Sequence, residues 1–204
     1  MSLITLEGCE GVGKSTALTF IQKYFSEKKI ECVFTREPGG TKIGEAIREI
    51  LLHNTSENIF PDTELLLMFA ARAQHIAQII KPALSAGKTV VSDRFTDASF
   101  AYQGGGRKIP AERIQILSDF VQGNLQPDLT LLLDAPVEIG LSRMQSRGKK
   151  DRIEQESIDF FNRVRNTYLN RAKQFPERFV IIDASGSLAN TQKQIKAALD
   201  SKIK

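Results

Sequence analysis

A glycine-rich segment near the start of the chain has the residues needed to bind phosphate. It matches the pattern G-x-x-x-x-G-K-[ST] at every fixed position, and an apolar run precedes it. Glycines let the backbone bend around phosphate oxygens, and successive N–H groups at a helix N-terminus attract the anion. Lys14 would reach the β and γ phosphates, and the Ser15 hydroxyl could bind Mg²⁺. We therefore expect nucleoside triphosphate to bind at Gly8, Cys9, Glu10, Gly11, Val12, Gly13, Lys14 and Ser15.

This phosphate loop predicts that a nucleoside triphosphate binds, but it does not predict which reaction follows. GTPases, ATPases and small-molecule kinases all contain such a loop. The guanine-reading sequence Asn-Lys-x-Asp does not occur in the chain, which argues against a GTPase. A chain of 204 residues also has little room for motor or transport apparatus. ATPases and small-molecule kinases both remain open at this point.

Three further polar segments are expected where strand ends point at the ligand crevice, so a second substrate could bind there. Residues 35–41 are rich in glycine and charge, residues 93–107 begin with Asp-Arg-Phe, and residues 143–152 carry five basic side chains. In an open α/β sheet the carboxyl ends of the strands border the ligand crevice, so we expect these segments near the phosphate loop. Phe69 and Arg72 lie three residues apart on a predicted helix, so an aromatic face and a guanidinium can share one cleft.

Short apolar runs alternate with amphipathic segments and predict the elements that position these groups. The runs are rich in branched side chains without polar alternation, as in strands buried on both faces of a parallel sheet. They cover residues 3–6, 32–35, 89–91, 129–133 and 179–182. Between them apolar residues recur at helical spacing, for example Ile43, Ile47 and Leu51, or Leu66, Phe69 and Ile76. We predict an α/β fold with a five-stranded parallel sheet and helices on both faces.

Composition bounds the class of protein. With 41% hydrophobic and 25% charged residues the chain has the balance of a soluble globular protein, and its length suits one domain over residues 1–204. A net charge of +4 suits an enzyme of anionic metabolites as well as a nucleic-acid binder. Two cysteines, Cys9 and Cys32, cannot build a disulfide framework or a four-ligand zinc site. With no signal sequence or membrane-spanning run, we expect a cytoplasmic protein without membrane or nucleic-acid partners.

Taken in order, these segments resemble bacterial thymidylate kinases. The resemblance runs from about Leu3 to about Asp183 and rests on Glu7-Gly8-x-Glu10-Gly11-x-Gly13-Lys14-Ser15, on Thr35-Arg36-Glu37-Pro38-Gly39-Gly40-Thr41, on Asp93-Arg94-Phe95 with Ala101-Tyr102-Gln103, and on residues 151–156 with Phe160-Phe161. It implies transfer of the ATP γ-phosphate to dTMP, a P-loop nucleoside-monophosphate-kinase fold, a Mg²⁺ requirement and a homodimer.

The resemblance also implies roles toward the phosphate and sugar of dTMP. Arg94 and Arg72 would hold the dTMP phosphate, with Arg36 as a third candidate, because a forked guanidinium makes paired contacts to oxygens. A carboxylate inside a phosphate loop is unusual, and Glu10 would position the acceptor and the metal. Tyr102 would pack against the deoxyribose and disfavour a 2′-hydroxyl.

The thymine ring would meet polar groups at its edge and one side chain on its face. Ser99 and Gln103 would offer hydrogen bonds to the edge. The stacking aromatic of the family usually lies four residues before the arginine, a position held here by Met68, whereas Phe69 lies three before it. Both therefore stay candidates for the stacking contact.

Further assignments complete the predicted site. Glu37 and Pro38 would belong to the dTMP site, and Asp93, with Ser15, would hold Mg²⁺ through water or position Arg94.

The basic run resembles a lid, at about residues 143–153, that closes over ATP. The variable positions of the phosphate loop hold no basic residue, so the lid must supply the arginine that acts in the transition state. Arg147, followed by the potential hinge Gly148, is the first choice. Arg143 and Arg152 are the alternatives and would also contact ATP.

Two other functions remain as alternatives. The first is a P-loop kinase of a different nucleoside monophosphate or of a deoxynucleoside. The second is a nucleotide-binding switch protein, which would need neither the second anion site nor the arginine-rich lid.

Overall fold

The computed structural model describes residues 2–53, 57–145 and 151–202. Its strands are β1 (Leu3–Glu7), β2 (Cys32–Arg36), β3 (Thr89–Asp93), β4 (Leu129–Asp134) and β5 (Phe179–Asp183). They form one five-stranded sheet in the order β2-β3-β1-β4-β5, and every pairing is parallel. The predicted sheet is confirmed, and each strand extends one or two residues past its apolar run.

Helices connect the strands. The α-helices within the described ranges are α1 (Lys14–Glu27), α2 (Lys42–Leu52), α3 (Pro61–His75), α4 (Lys81–Ser85), α5 (Thr96–Ser99), α6 (Ala111–Gln122), α7 (Val137–Gln145), α8 (Ile158–Gln174) and α9 (Leu188–Lys202). Two π-helical segments, Ile76–Ile80 and Phe100–Gly106, continue α3 and α5. Such segments often occur at functional sites.

The core lies on both faces of the sheet. Leu3 and Val90 pack with Ile76 and Ile80 in one cluster, whereas Ile4 belongs to a larger cluster that includes residues of α1, α8 and α9. Adjacent strand residues point to opposite faces, so helices cover both sides of β1. The outer strands differ from the prediction, because β2 and β5 are only partly buried at the sheet edges.

The central position of β1 brings the phosphate loop and the end of β3 together. Leu6 pairs with Asp93 in the parallel register, and the N–H of Arg94 donates to the Leu6 carbonyl at 3.0 Å. On the other side of β3, the N–H of Glu37 donates to the Asp93 carbonyl at 2.9 Å. The polar residues that follow β1, β2 and β3 therefore gather at one edge of the sheet.

Glycines let the second π-helical segment pack directly against α8. A Cβ added to Gly105 would lie 2.1 Å from Thr167 Oγ1, and one added to Gly106 would lie 2.4 Å from the Phe160 ring. No real Cβ tolerates such contacts, so these positions need glycine for close packing. This packing fixes the neighbouring Tyr102 and Gln103 relative to the sheet.

An apolar surface remains exposed on three neighbouring helices, with α3 packed between α2 and α6. Leu66, expected on the buried stripe of α3, is 58% exposed, and the core uses Leu65 instead. The other exposed apolar side chains on these helices are Ile43, Ile50, Ile116 and Phe120. Among the described residues, no helix is both long and apolar enough to cross a membrane.

Candidate active site

The phosphate loop links β1 to α1 and leaves the start of α1 without a side-chain cap. Gly13 holds a left-handed conformation there, with φ of +94°. The Lys14 ammonium donates to the carbonyls of Gly8 at 3.0 Å and Cys9 at 2.9 Å, so it lies folded over the loop. Burial lowers the pKa of Lys14. A phosphate anion would offset that unfavourable burial of charge.

Close backbone packing explains the other glycines of the loop. Gly11 has φ of +71°, and a Cβ there would lie 2.0 Å from the carbonyl oxygen of Gly140 at the start of the α7 region. Gly8 has φ of +134°, and its Cβ would lie 2.3 Å from the Leu133 carbonyl oxygen. The loop is therefore fixed by backbone on β4 and α7, which preforms its shape.

A cavity of about 240 Å³ opens between the phosphate loop and the ends of β2 and β3. It gathers most of the residues that the sequence assigned to the acceptor site. Those in its wall are Glu10, Glu37, Pro38, Met68, Arg94, Tyr102 and Gln103, and they are joined there by Gly11, Gly13, Lys14, Ser15 and Asp93, which the sequence assigned to ATP and Mg²⁺. We call this the acceptor cavity.

Glu10 is paired inside the acceptor cavity. Its carboxylate accepts from Arg94 at 2.7 Å and from the Tyr102 hydroxyl at 2.6 Å. The Arg94 guanidinium also lies 4.5 Å from the centre of the Tyr102 ring. Arg94 thus offsets the negative charge that makes Glu10 unusual in a phosphate loop.

Two buried side chains behind the cavity hold Arg94. Arg94 has a left-handed backbone with φ of +72° and donates to the Tyr168 hydroxyl at 3.2 Å. Tyr168 donates in turn to Glu7 at 2.7 Å, and the other Glu7 oxygen accepts from the N–H of Phe95 at 2.8 Å. Glu7 therefore supports both the backbone beside Arg94 and, through Tyr168, its guanidinium. Burial raises the pKa of Glu7 to about 8, and the nearby Asp97 adds to this effect.

Arg72 is buried behind the acceptor cavity. Its side chain is 2% exposed, and it donates to Glu37 at 2.7 Å, to Ser99 at 3.0 Å and to the Phe95 carbonyl at 3.0 Å. Neither Arg72 nor Ser99 is in the wall of the acceptor cavity. The sequence predicts that both residues contact dTMP. In the structure, three buried protein acceptors bind the Arg72 guanidinium.

Glu37 joins that buried network to the cavity. Its second oxygen lies 2.8 Å from His75 Nδ1, and His75 Nε2 lies 2.6 Å from Thr35 Oγ1. Glu37 is thus held by Arg72 and His75 while it lines the cavity beside the cis peptide to Pro38. Sequence reasoning had no signal for this role of His75.

The two candidates for the stacking residue, Met68 and Phe69, lie in different surroundings. Met68 is in the cavity wall, whereas Phe69 is 2% exposed and packs in a core cluster with Leu65 and Ile114. The Arg72 guanidinium lies 4.6 Å from the Phe69 ring centre, so the two share a buried cleft. Successive helical positions are about 100° apart, which turns Phe69 away from the cavity that Met68 reaches.

Arg36 is also not in the cavity wall. Its side chain is 52% exposed and donates to Glu45 on α2 at 2.8 Å. Arg48 on α2, which the sequence did not single out, lines the cavity and donates to the Pro38 carbonyl at 2.8 Å. Burial lowers the pKa of Arg48, and Arg36 adds to the effect. Gly44, one helical turn earlier on α2, is also buried, so Arg48 lies on the inward side of that helix.

Glu64 connects the acceptor cavity to the last residue of the basic run. It accepts from Gln103 at 2.8 Å, from Arg107 at 3.2 Å and from Arg152 at 2.6 Å. Arg152 also donates to the Leu51 carbonyl at 2.8 Å. Arg152, expected at ATP, is therefore bound to α2 and α3. Its neighbours Asp151, Ile153 and Glu154 are in the cavity wall, which the sequence did not predict.

A second cavity, of about 380 Å³, lies on the other side of the phosphate loop. Gly11 and Gly13 line both cavities. Val12 and Arg143, both expected to contact ATP, line this one, and Arg143 donates to the Ala184 carbonyl at 3.0 Å. The Cys9 side chain, in contrast, is buried against the Phe161 carbonyl, and burial raises the pKa of its thiol to about 12.

The oxygens suited to Mg²⁺ lie at the floor of the acceptor cavity. Asp93 Oδ1 is buried and finds no hydrogen-bond partner in the described part of the chain, and Ser15 lies in the same wall. No cluster of three or more acidic, histidine or cysteine side chains occurs there that could hold a metal alone. Mg²⁺ prefers one or two protein oxygens with phosphates and water, so the residues present fit it.

The remaining part of the predicted lid lies outside the described residues. This includes Arg147, the first choice for the transition-state arginine, and Gly148.

Comparisons with known proteins all match the chain to one family. A family profile described as "Thymidylate kinase" matches residues 6–195. A thymidylate kinase of Vesicomyosocius okutanii is 57% identical over 96% of both chains, and one of Pseudomonas entomophila is 56% identical over 96% of this chain and 93% of its own. The crystal structure of thymidylate kinase from Ehrlichia chaffeensis superposes with a TM-score of 0.79 at 32% identity, covering 98% of each chain. With these matches and its P-loop nucleoside-monophosphate-kinase fold, the chain belongs to the thymidylate kinase family.

Proposed function

We propose that the chain is a cytoplasmic enzyme that transfers the γ-phosphoryl group of ATP to dTMP, giving ADP and dTDP. One observation carries the proposal: two cavities meet at the phosphate loop and share Gly11 and Gly13. Such an arrangement lets donor and acceptor phosphates approach each other across one loop. A phosphate oxygen of dTMP attacks the γ phosphorus, and the bond from γ phosphorus to the bridging oxygen of ADP breaks.

The phosphate of dTMP is proposed to bind between Arg94 and Arg48. Both line the acceptor cavity and come from different elements, the end of β3 and helix α2. Arg94 is held by Glu10 and Tyr168, so its position is set before the substrate arrives. Charge-assisted contacts from preorganised guanidinium groups give both affinity and alignment for in-line transfer. Arg72 then acts behind them as a support for Glu37.

The sugar is proposed to lie against Glu10 and Tyr102. Both are in the cavity wall, and their 2.6 Å hydrogen bond fixes the ring relative to the carboxylate. The Glu10 carboxylate has a free lone pair that can accept a hydrogen bond from a hydroxyl group of the deoxyribose. Tyr102 would fill the space that a 2′-hydroxyl needs.

The base is proposed to contact Met68 on its face and Gln103 at its edge. The Gln103 amide donates to Glu64, while its Oε1 is buried without a hydrogen-bond partner in the described residues. A buried acceptor of this kind costs free energy until a ligand donates to it. The N3–H group of thymine is such a donor.

ATP is proposed to occupy the phosphate loop, with its nucleoside in the cavity lined by Arg143. Lys14 would hold the β and γ phosphates, and Ser15 and Asp93 would hold Mg²⁺. Bound Mg²⁺ neutralises phosphate charge and orients the transferred group. Arg147 on the lid would neutralise charge in the transition state, since the described part of the acceptor wall supplies arginines only on the dTMP side.

The reaction is tested by coupled ADP release with dTMP, dUMP, dCMP and thymidine in turn. We expect the highest kcat/KM with dTMP. Lys14→Ala should remove turnover, whereas the control Lys23→Ala, 75% exposed on α1, should keep it. Turnover of thymidine without turnover of dTMP would identify a deoxynucleoside kinase. Slow ATP hydrolysis that dTMP does not accelerate would identify a nucleotide switch.

A homodimer is the second proposal, and the exposed apolar surface of α2, α3 and α6 supports it. Phe120 is 85% exposed, Ile116 67%, and Leu66 58%, on adjacent helices. Large apolar side chains exposed on adjacent helices of this kind are typical of association sites. Because a C2 dimer pairs one patch with itself, the same surface suffices for both protomers.

Light scattering tests this surface. The chain should have about twice its 22.7 kDa mass, and Phe120→Glu should return it to the monomer mass. Leu188→Glu, at a 53% exposed position of α9, is the control and should stay dimeric. A monomeric parent chain, or a dimer insensitive to Phe120→Glu, would contradict the proposal.

A further inference from the structure

We propose that Glu64 sets the base specificity of the acceptor site by fixing which end of the Gln103 amide faces the substrate. This inference rests on the proposed function, because it concerns how the proposed dTMP site rejects a different pyrimidine. Glu64 lies outside the cavity wall and acts through Gln103, so it is a positioning residue.

The Glu64 carboxylate is buried and bound on both oxygens. Its side chain is 1% exposed. Oε1 accepts from Gln103 Nε2 at 2.8 Å and Oε2 from Arg152 at 2.6 Å, while Arg107 Nε donates to both oxygens, at 3.3 and 3.2 Å. Burial alone would raise the pKa of Glu64, but Arg107 and the hydrogen bonds outweigh it and the pKa is lowered. The group is therefore an ionised carboxylate, which can only accept hydrogen bonds.

An acceptor-only partner leaves the Gln103 amide one favourable orientation. Its NH₂ group must face Glu64, because the opposite orientation would set the amide oxygen against a carboxylate oxygen. Gln103 is fully buried and lines the acceptor cavity, and its Oε1 has no other partner within the described ranges. The cavity thus presents one fixed, unsatisfied acceptor to the base.

This acceptor discriminates between pyrimidines by their N3 position. Thymine and uracil carry a proton on N3 and can donate to Gln103. Cytosine has a lone pair on N3, so it would leave both acceptors unpaired and facing each other. Sites built to receive a hydrogen bond reject analogues that lack the donor far more strongly than apolar pockets reject a missing methyl group.

The variant Glu64→Gln should reverse the orientation of the Gln103 side-chain amide. Arg152 donates to Oε2 at 2.6 Å and would retain the oxygen of the new amide there, which turns its NH₂ group toward Gln103. Gln103 would then present its oxygen to this NH₂ and its own NH₂ to the cavity, where it matches the N3 lone pair of cytosine. A role of Glu64 in structure alone would lower turnover of all pyrimidines in proportion.

The test compares kcat/KM for dTMP, dUMP and dCMP in the parent chain and in Glu64→Gln. We expect the dTMP:dCMP ratio to fall at least about tenfold. The dTMP:dUMP ratio should stay within about twofold, because both bases carry N3–H. Glu156→Gln is the matched control: it removes another carboxylate from Arg107, which it contacts at 2.5 Å, and should leave both ratios unchanged.

A second variant keeps the test decisive if Glu64→Gln does not fold. Gln103→Leu removes the acceptor itself and should also lower the dTMP:dCMP ratio. An unchanged ratio in folded Glu64→Gln, or in Gln103→Leu, would overturn the inference. Failure of the proposed function has a different signature, since the parent chain would then show no dTMP-dependent ADP release.

Discussion

The Arg94 guanidinium and the Glu10 carboxylate lie 2.7 Å apart in the wall of the acceptor cavity. Arg94 comes from the end of β3 and Glu10 from the loop after β1, so the pair joins the proposed acceptor and donor sites. Arg94 offsets the negative charge of Glu10, which reduces the repulsion between this carboxylate and a bound triphosphate. Burial opposes the charge on Arg94, but its acidic and phenolic neighbours raise the pKa of Arg94 well above its ordinary value.

We predict that Arg94→Ala mainly weakens dTMP binding. The KM for dTMP should rise by on the order of 10- to 100-fold, because the variant loses a charge-assisted phosphate contact and leaves Glu10 without its ion-pair partner. The KM for ATP should rise less than the KM for dTMP, because Lys14 and the backbone N–H groups of the loop still bind the triphosphate although Glu10 has lost its cation. Arg113→Ala is the control, since Arg113 is 62% exposed and pairs only loosely with Asp62 at 3.5 Å. Steady-state kinetics with each substrate varied in turn would measure both constants, and a larger effect on ATP than on dTMP would contradict this assignment.

The lid arginine should behave in the opposite way. Arg147→Ala is expected to lower kcat by on the order of 100-fold or more, with little effect on dTMP affinity, because a transition-state arginine acts on charge that develops during transfer. Single-turnover rates and dTMP binding by calorimetry would separate the two quantities. Lys149→Ala provides a control in the same basic run. If Arg147→Ala and Arg94→Ala both changed only dTMP affinity, the division between lid and acceptor arginines would be wrong.

Much of the fold could be predicted because its signals are local. The apolar runs of β1, β3 and β4 are buried on both faces, which is why they showed no alternation. The edge strand β2 is only partly buried, and its sequence does not reveal this, because edge position depends on the strand order. Similarly, Leu66 fits a helical stripe but lies at a surface that only the packing of α3 on its neighbours defines.

The positions of site residues could be predicted where a sequence motif fixes the backbone. They were harder to predict where tertiary contacts decide which of several similar side chains lines the cavity. The phosphate loop and Arg94 follow directly from strand ends. Arg72 and Arg48 are both helical arginines, and only the fold decides that Arg72 turns into the core while Arg48 lines the cavity. The role of Glu64 was not predictable, because its partners lie at least 39 residues away in sequence.

The packing of the phosphate loop gives a prediction about backbone contact. Gly11→Ala should destabilise the fold and weaken ATP binding, because its Cβ would lie 2.0 Å from the Gly140 carbonyl oxygen. Gly87→Ala is a matched control: its φ of +78° is close to the +71° of Gly11, but nothing lies within 4 Å of the added Cβ. We expect about 1 kcal/mol of lost unfolding free energy for Gly87→Ala, and at least twice that for Gly11→Ala. If urea unfolding gave equal losses of unfolding free energy for the two variants, backbone strain alone, and not the collision with Gly140, would account for the destabilisation.

The last prediction concerns Glu7, which supports Arg94 from behind. Its pKa is raised from 4.5 in the unfolded chain to about 8 in the fold, chiefly by burial. The folded state therefore binds the proton more tightly, and the stability from protonated Glu7 is fully present below pH 4.5 and is lost as the pH rises toward 8. Glu7→Gln keeps a neutral side chain of the same shape that can still accept from the Phe95 N–H.

Urea unfolding of both proteins at pH 5.5, 6.5 and 7.5 would measure this linkage. The free energy of unfolding of the parent chain should fall relative to Glu7→Gln by roughly 1 kcal/mol per pH unit across this range, because one additional proton is bound in the folded state. Comparing the two proteins at each pH cancels the titration of other groups. A constant difference between them would mean that Glu7 is ionised throughout, and that the buried carboxylate is stabilised by Arg94 through Tyr168 rather than by a proton.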